Sequence, residues 1–234
     1  MNRLTYKGER VPLDYGKLKV RLATRDDATQ VKNLRVNAYG QATNIRLVDP
    51  EVMTWNTSDD ENLVFVVENE HGDLISTMKA LLICEPKRFL EETNIYPPLG
   101  MEFPVLYLKT GSTAQPYWGN GLNALLKMEI VRYLSVSPVR NMINTINEGT
   151  SRIQMLAKMG FDFEVANLRP RNRGNSPFKF NTPLTIGTLH HSSYEYFLAK
   201  APLVLRNALG TWQRNFDDVP RVDAYLSLSF QKAV

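Results

Sequence analysis

The stretch from Leu106 to Leu134 constrains the fold most. Strand-type residues run from Pro104 to Thr110, a turn carries Trp118-Gly119-Asn120-Gly121-Leu122, and Leu122, Leu125, Leu126, Ile130, Tyr133 and Leu134 then recur at helical spacing. The order strand, glycine turn, helix leaves the first N–H groups of the helix unpaired and places the positive end of its dipole at the turn. Gly119 and Gly121 suit such a turn, because a missing Cβ permits unusual backbone angles and lets a phosphate approach the main chain. An ordinary tight turn ahead of a helix is the plain alternative. Two other anion sites are excluded by order. A P-loop carries Lys-Ser/Thr after its last glycine, where this chain has Leu122-Asn123, and a dinucleotide fold has its glycines after the first strand, not the fourth.

The flanking chain alternates strands and helices. Lys17 to Thr24 has the period-two pattern of a half-buried strand, and Asp26-Asp27 then opens a helix carrying Ala28, Val31, Leu34 and Ala38. Asp49-Pro50 starts a short helical stretch toward Trp55, which residues 57–61 break. Asn62 to Glu68 and Leu74 to Ile83 read as a β-hairpin across Asn69-Glu70-His71-Gly72-Asp73. Glu85 to Met101 is an insertion or lid, helical around Phe89 and stiff at Tyr96-Pro97-Pro98. Asn141 to Ile146 is a buried strand, and Thr150 to Met159 a helix with Ile153, Leu156 and Met159 inward, closed by Gly160. Strands over Phe161 to Leu168 and Leu184 to Leu189 flank a basic loop, and a helix from Ser193 to Leu209 follows. This mixture of hairpins and helical crossovers predicts an α/β (α+β) fold with a mixed sheet, not a doubly wound parallel one.

Composition narrows the function classes. Of 234 residues 43% are hydrophobic and 22% charged, which excludes a disordered or collagen-like chain. The net charge of +4 favours anionic ligands such as nucleotides, coenzyme phosphates or an acidic carrier protein, and does not call for nucleic acid. Cys84 stands alone, so no disulfide framework or cysteine-built metal site is expected. Met1 to Gly16 lacks the apolar core of a signal peptide, and no run reaches the roughly 20 apolar residues of a membrane span. A cytoplasmic location is the expectation.

The whole order resembles the GNAT superfamily of acyltransferases, whose Gln/Arg-x-x-Gly-x-Gly/Ala motif joins strand four to helix three. The register here is Trp118-Gly119-Asn120-Gly121-Leu122-Asn123: Gly121 matches the central glycine, Trp118 replaces the basic or amide first residue, and Asn123 the small last one. Tyr117-Trp118-Gly119-Asn120-Gly121 is similar to the branch that acetylates protein N-termini. Lys158-Met159-Gly160-Phe161 resembles the family's Lys-Leu-Gly-Phe signature, and the likeness spans about Lys17 to Leu168. It implies a mostly antiparallel sheet with helices on both faces, in a domain over 17–191 with the insertion at 85–101, an N-terminal extension at 1–16 and a C-terminal helical extension at 192–234. It implies as co-substrate acetyl-CoA or another acyl-CoA, held by Leu108, Thr110, Gly111, Ser112, Trp118, Gly119, Asn120, Gly121, Leu122, Asn123 and Asn147. A small-molecule or peptide amine would attack the thioester directly, without a metal.

For the general base, the resemblance offers Glu102, just before strand four, and Glu148, just after strand five; a solvated turn carboxylate and a helix-start residue are the plain readings. The family's proton donor is a tyrosine at the position that Leu156 occupies here. Tyr117, Tyr107 or Tyr194 then substitutes, or water does, though each tyrosine also reads as packing. His190 and His191, adjacent on a strand, point to opposite faces and do not share a metal; one of them can border the acceptor pocket. Arg169, Arg171, Arg173 and Lys179 form a solvated loop, or a contact for a coenzyme phosphate or an acidic acyl carrier protein. Two alternatives accompany the coenzyme A dependent enzyme. One is an acyl-carrier-protein-dependent enzyme similar to the N-acyl amino acid and acyl-homoserine lactone synthases. The other is a noncatalytic acyl-CoA-binding module.

Overall fold

A computed structural model describes residues 11, 13–41, 45–47, 49–134, 137, 139–148, 151–166, 178–180, 183–204 and 213–215. In chain order the elements are β1 (Lys19–Leu22), α1 (Ala28–Gly40), β2 (Ile45–Leu47), α2 (Thr57–Asp60), β3 (Leu63–Glu68), β4 (Leu74–Ile83), α3 (Pro86–Thr93), β5 (Val105–Thr113), α4 (Leu122–Leu134), β6 (Asn141–Asn147), α5 (Ser151–Ala157), β7 (Asp162–Val165), β8 (Phe178–Phe180), β9 (Leu184–His190), α6 (Tyr194–Lys200) and β10 (Gln213–Asn215). Eight strands form one sheet in the order β10-β1-β3-β4-β5-β6-β9-β7, and β2 pairs with β8 apart from it. The pairs β1/β10 and β5/β6 are parallel and the others antiparallel. The sheet is therefore mixed, as the sequence pattern predicts, and mostly antiparallel, as the resemblance implies.

Strand alternation sorts the core onto two faces. Phe65, Val67, Leu106, Leu108, Met142 and Ile146 pack against Leu122, Leu125, Leu126, Ile130 and Leu134 of α4 and Phe197 of α6. On the opposite face Leu81, Val105, Tyr107 and Ile143 meet Phe89 of α3, while Val64 and Val66 meet Val31 and Leu34 of α1. Helices cover both faces. Phe89 and Ile95 are fully buried, so segment 85–101 is anchored to the sheet, with Leu99 exposed at its end.

Local chemistry explains the boundaries. Asp27 accepts the Thr24 N–H (2.8 Å) and grips Arg21 through both carboxylate oxygens (2.7 and 2.8 Å), which fixes the entry to α1. The hairpin turns on Asn69, whose side chain accepts from the N–H groups of His71 and Asp73, with Gly72 at φ 81°.

Several elements differ from the sequence reading. The stretch after Asp49 is a single 3-10 turn, Pro50–Met53. Residues 57–60, expected as a break, are helical. Asn56 Oδ1 accepts the Ser58 N–H and Asp59 accepts the Asn56 N–H, a reciprocal cap that short polar residues supply. The helix expected to reach Leu209 ends at Lys200 and passes into a 3-10 turn, Ala201–Val204, where Pro202 removes a backbone donor. Residues 205–209 lie outside the described set, and beyond them the C-terminal region adds a strand, β10, beside β1. Strands β2 and β8 were not foreseen. Arg169, Arg171 and Arg173 lie outside the described residues, as does the side chain of Lys179.

Candidate functional site

Strands β5 and β6 pair from Val105↔Asn141 to Leu108↔Asn144 and no further, although β5 continues to Thr113 and β6 to Asn147. The cause lies in β5. Thr77 pairs with Ser112 and Lys79 with Lys109, so Thr110 and Gly111 together stand opposite Met78. This bulge, with Thr110 at φ 50°, twists the strand away from its neighbour. A notch opens between the two C-terminal strand ends. Thr110 Oγ1, Asn144 Oδ1 and Asn147 Oδ1 are all buried there without a hydrogen-bond partner. Buried polar atoms are nearly always satisfied, so three orphans at one strand divergence mark a place for a polar ligand.

Above the notch, the chain enters α4 through the glycine turn. The Trp118 indole N–H donates to the Thr113 carbonyl at 2.7 Å and ties the turn to the end of β5. Gly119 and Gly121 adopt φ 83° and 78°, the left-handed region that a side chain disfavours by about 1–2 kcal/mol. The Gly121 carbonyl accepts from Ala124 and Leu125 (2.8 and 3.0 Å), so the Leu122 and Asn123 N–H groups precede the first helical bonds and face outward as donors. The N-terminal segment braces the turn: Tyr15 Oη donates to the Asn120 carbonyl, Asn120 Nδ2 donates to the Val11 carbonyl (3.3 Å), and the Val11 N–H donates to Pro116 O (3.1 Å).

The structure brings most of the expected residues together. Leu108, Thr110, Gly111 and Ser112 form the bulged side of the notch, Trp118 to Asn123 cap it, and Asn147 with exposed Glu148 ends the β6 side. The Glu148 N–H is held by the Pro183 carbonyl at 2.9 Å. Two side chains serve the framework: Trp118 pins the turn, and Asn123 packs against the bulge, where a Cβ on Gly111 would come within 3.0 Å of its Nδ2. Tyr117 packs against the main core.

Other candidates lie elsewhere. Glu102 precedes β5, and its carbonyl accepts from Asn141 Nδ2 (2.9 Å) at the first residue of β6. Because β5 and β6 run parallel, that is the end of the strands opposite to the notch. Glu102 instead borders a cleft of about 670 Å³ with Arg140, Asp162 and His190. In it, Asn141 Oδ1 accepts from His190 Nδ1 at 2.8 Å. Tyr107 faces the α3 side and shares a 3.0 Å hydrogen bond with Thr145; burial pushes its phenol up to about 12. Tyr194 is buried in the α4-side core with its hydroxyl unpartnered, and burial pushes it up as well.

Lys127 was not singled out from the sequence. It lies one turn beyond Asn123 on α4, is fully buried, and donates to Asn123 Oδ1. Burial holds its ammonium well below the usual lysine range, and the charge of Arg152 at the head of α5 adds to that. A lysine inside a helix ordinarily reads as a solvated position. The signal that could have found it is its spacing of four from Asn123, the last position of the glycine motif.

No family model and no curated protein sequence matches the chain. Solved structures do. FeeM, an N-acyl amino acid synthase from uncultured soil microbes, aligns over 80% of this chain and 96% of its own, at 12% identity and TM-score 0.57. BjaI, a coenzyme A dependent acyl-homoserine lactone synthase solved with SAM and isopentyl-CoA, aligns over 88% and 99%, at 10% identity and TM-score 0.56. yncA from Salmonella typhimurium, assigned as an acetyltransferase and solved with acetyl-CoA, aligns over 75% and 95%, at 15% identity and TM-score 0.52. At these identities the likeness is one of fold, and the fold is that of the GNAT superfamily of N-acyltransferases.

Proposed function

We propose that the chain is an N-acyltransferase that moves an acyl group from a coenzyme A thioester to an amine by direct attack. The observation that carries this reading is the notch: β5 and β6 part beyond Leu108 and Asn144, and the orphaned Thr110, Asn144 and Asn147 oxygens sit at the parting, beneath an anion-ready turn. The N–H groups of Gly121, Leu122 and Asn123 would hold the pyrophosphate at the positive end of α4. The freed edge of β5 would run alongside the pantetheine arm and supply an N–H to the acyl carbonyl oxygen, where charge develops during attack. Glu148, exposed at the end of β6, would take the proton of the attacking amine through water. Holding both reactants at one notch supplies the proximity that a bimolecular aminolysis lacks in solution.

An acyl-carrier-protein-dependent enzyme of the N-acyl amino acid synthase kind is the second reading. FeeM, an N-acyl amino acid synthase that matches more of this chain than yncA does, supports it, whereas the coenzyme A dependence of BjaI speaks for the first donor. Melting temperature with acetyl-CoA, a long-chain acyl-CoA and acyl carrier protein, measured side by side, separates the readings. A ligand held at one hundred times its Kd stabilises the folded state by about 2.7 kcal/mol. Gly121→Val should abolish the rise seen with the preferred donor. Stabilisation without acyl transfer to any amine would leave a noncatalytic thioester-binding module, and no stabilisation by any donor would sink all three.

A further inference from the structure

Leu156, fully buried in the α4-side core, carries no proton to give, which leaves the departing thiolate without a donor at that position. We propose that Lys127, on α4, protonates the thiolate in its place; this rests on the acyltransferase reading above. Lys127 touches the notch through its neighbours. Its Nζ donates to Asn123 Oδ1, and Asn123 abuts Gly111 in the β5 bulge. Asn144, between Met142 and Ile146, turns its side chain to the same face of the sheet, and its orphaned Oδ1 adds an unmet acceptor there.

Arg152 stands on α5, one helical turn before Leu156, and its charge acts on Lys127. No carboxylate is within ion-pairing distance of Lys127 among the described residues, and its one hydrogen bond is to a neutral amide. An ammonium so placed, desolvated and facing a second cation, gives up its proton more readily than a solvated lysine. A thiolate formed beside it receives both the proton and a compensating charge.

The step balances. The amine nitrogen bonds to the carbonyl carbon, the carbon–sulfur bond breaks with its electron pair going to sulfur, and the Lys127 ammonium passes its proton to sulfur. The surplus proton on nitrogen leaves by the Glu148 side, and solvent reprotonates Lys127. The tyrosine candidates lack such a link to the bulge: Tyr107 is bonded to Thr145 on the far face, Tyr117 is packed against the core, and Tyr194 is buried in the core with its hydroxyl bonded to nothing among the described residues.

The test compares wild type with Lys127→Met and with Lys127→Gln, which retains a donor for Asn123. Calorimetry establishes that each binds coenzyme A, and the ultraviolet absorbance of the thiolate then gives the acidity of the bound thiol. The thiol should be at least tenfold more acidic on the wild type than on either variant. With an amine acceptor, kcat for an alkyl thioester should fall by about 10²–10⁴ with KM unchanged, the range of general acid catalysis. An aryl thioester, whose thiolate leaves without a proton, should lose far less. Equal thiol acidity in the three proteins, or equal loss with both donors, overturns the assignment of Lys127 alone. A wild type that binds no coenzyme A overturns the acyltransferase reading and this inference with it.

Discussion

Asp59→Asn keeps the shape and an oxygen to cap Asn56, but removes the charge of a buried triad and sets an NH2 where an acceptor faced Arg35 and Lys79. In the native protein Asp59 is 1% exposed, with Oδ1 at 2.7 Å from Arg35 Nη2 and 3.3 Å from Lys79 Nζ, and both cations are buried as well. Burial pushes the Asp59 carboxyl up, but the hydrogen bond and charge of Arg35 and the charge of Lys79 outweigh it and hold the group below the usual carboxylate range. The triad joins α1, α2 and β4, and the variant strands two cations. Breaking a buried ion pair from one side costs about 3–5 kcal/mol. At roughly 2–4 °C per kcal/mol for a chain of this size, the melting temperature should fall by about 6–20 °C at neutral pH. The sign with pH follows from the lowered carboxyl. Its contribution is complete above the ordinary carboxylate range and disappears as pH falls through the native value, so the two melting curves should converge in acid. Differential scanning calorimetry across pH measures both. A variant melting within about 2 °C of wild type at pH 7, under 1 kcal/mol on the same scale, would refute the triad as a structural tie.

Two further outcomes follow from single positions. A Cβ at Gly187 would sit 2.6 Å from Phe163 Cε1 on the adjacent strand, so Gly187→Ala should cost about 1–3 kcal/mol by overpacking, recovered when combined with Phe163→Leu; urea melts in a double-mutant cycle decide it. Because Lys127 binds its proton more weakly folded than unfolded, wild-type stability rises with pH through the interval below the ordinary lysine range. Lys127→Met should therefore be more stable than wild type at neutral pH, with the gain vanishing in strong alkali, by denaturant titration at several pH values.

The main sheet was legible because its signal is local. The apolar, β-branched runs of β3 and β4 flank a glycine turn, and the β5-turn-α4 order needs no distant partner to be recognised. Strands β2 and β8 have three residues each and pair Ile45 with Phe180, so neither carries periodicity and nothing near either announces the other. β10 escaped for the same reason. Within the site, glycines and their spacing reported a backbone shape directly, whereas side-chain roles depended on which strand end a residue occupies. Glu102 and Glu148 look alike beside their strands, yet the parallel pairing of β5 with β6 sets them at opposite ends. Lys127 was hidden because a helical pattern tells which positions are apolar, not which polar ones are enclosed.

The bracing of the glycine turn by Tyr15 and Val11 ties the spacing of its donors to the segment that precedes β1. Donors that must converge on one phosphate lose little by binding if their spacing is already fixed, and here the fixing comes from residues over a hundred positions away in sequence. Tension applied ahead of Val11, by a fused domain or a bound partner, would reach the loop through these bonds and read out as ligand affinity, while leaving every residue that faces the ligand untouched.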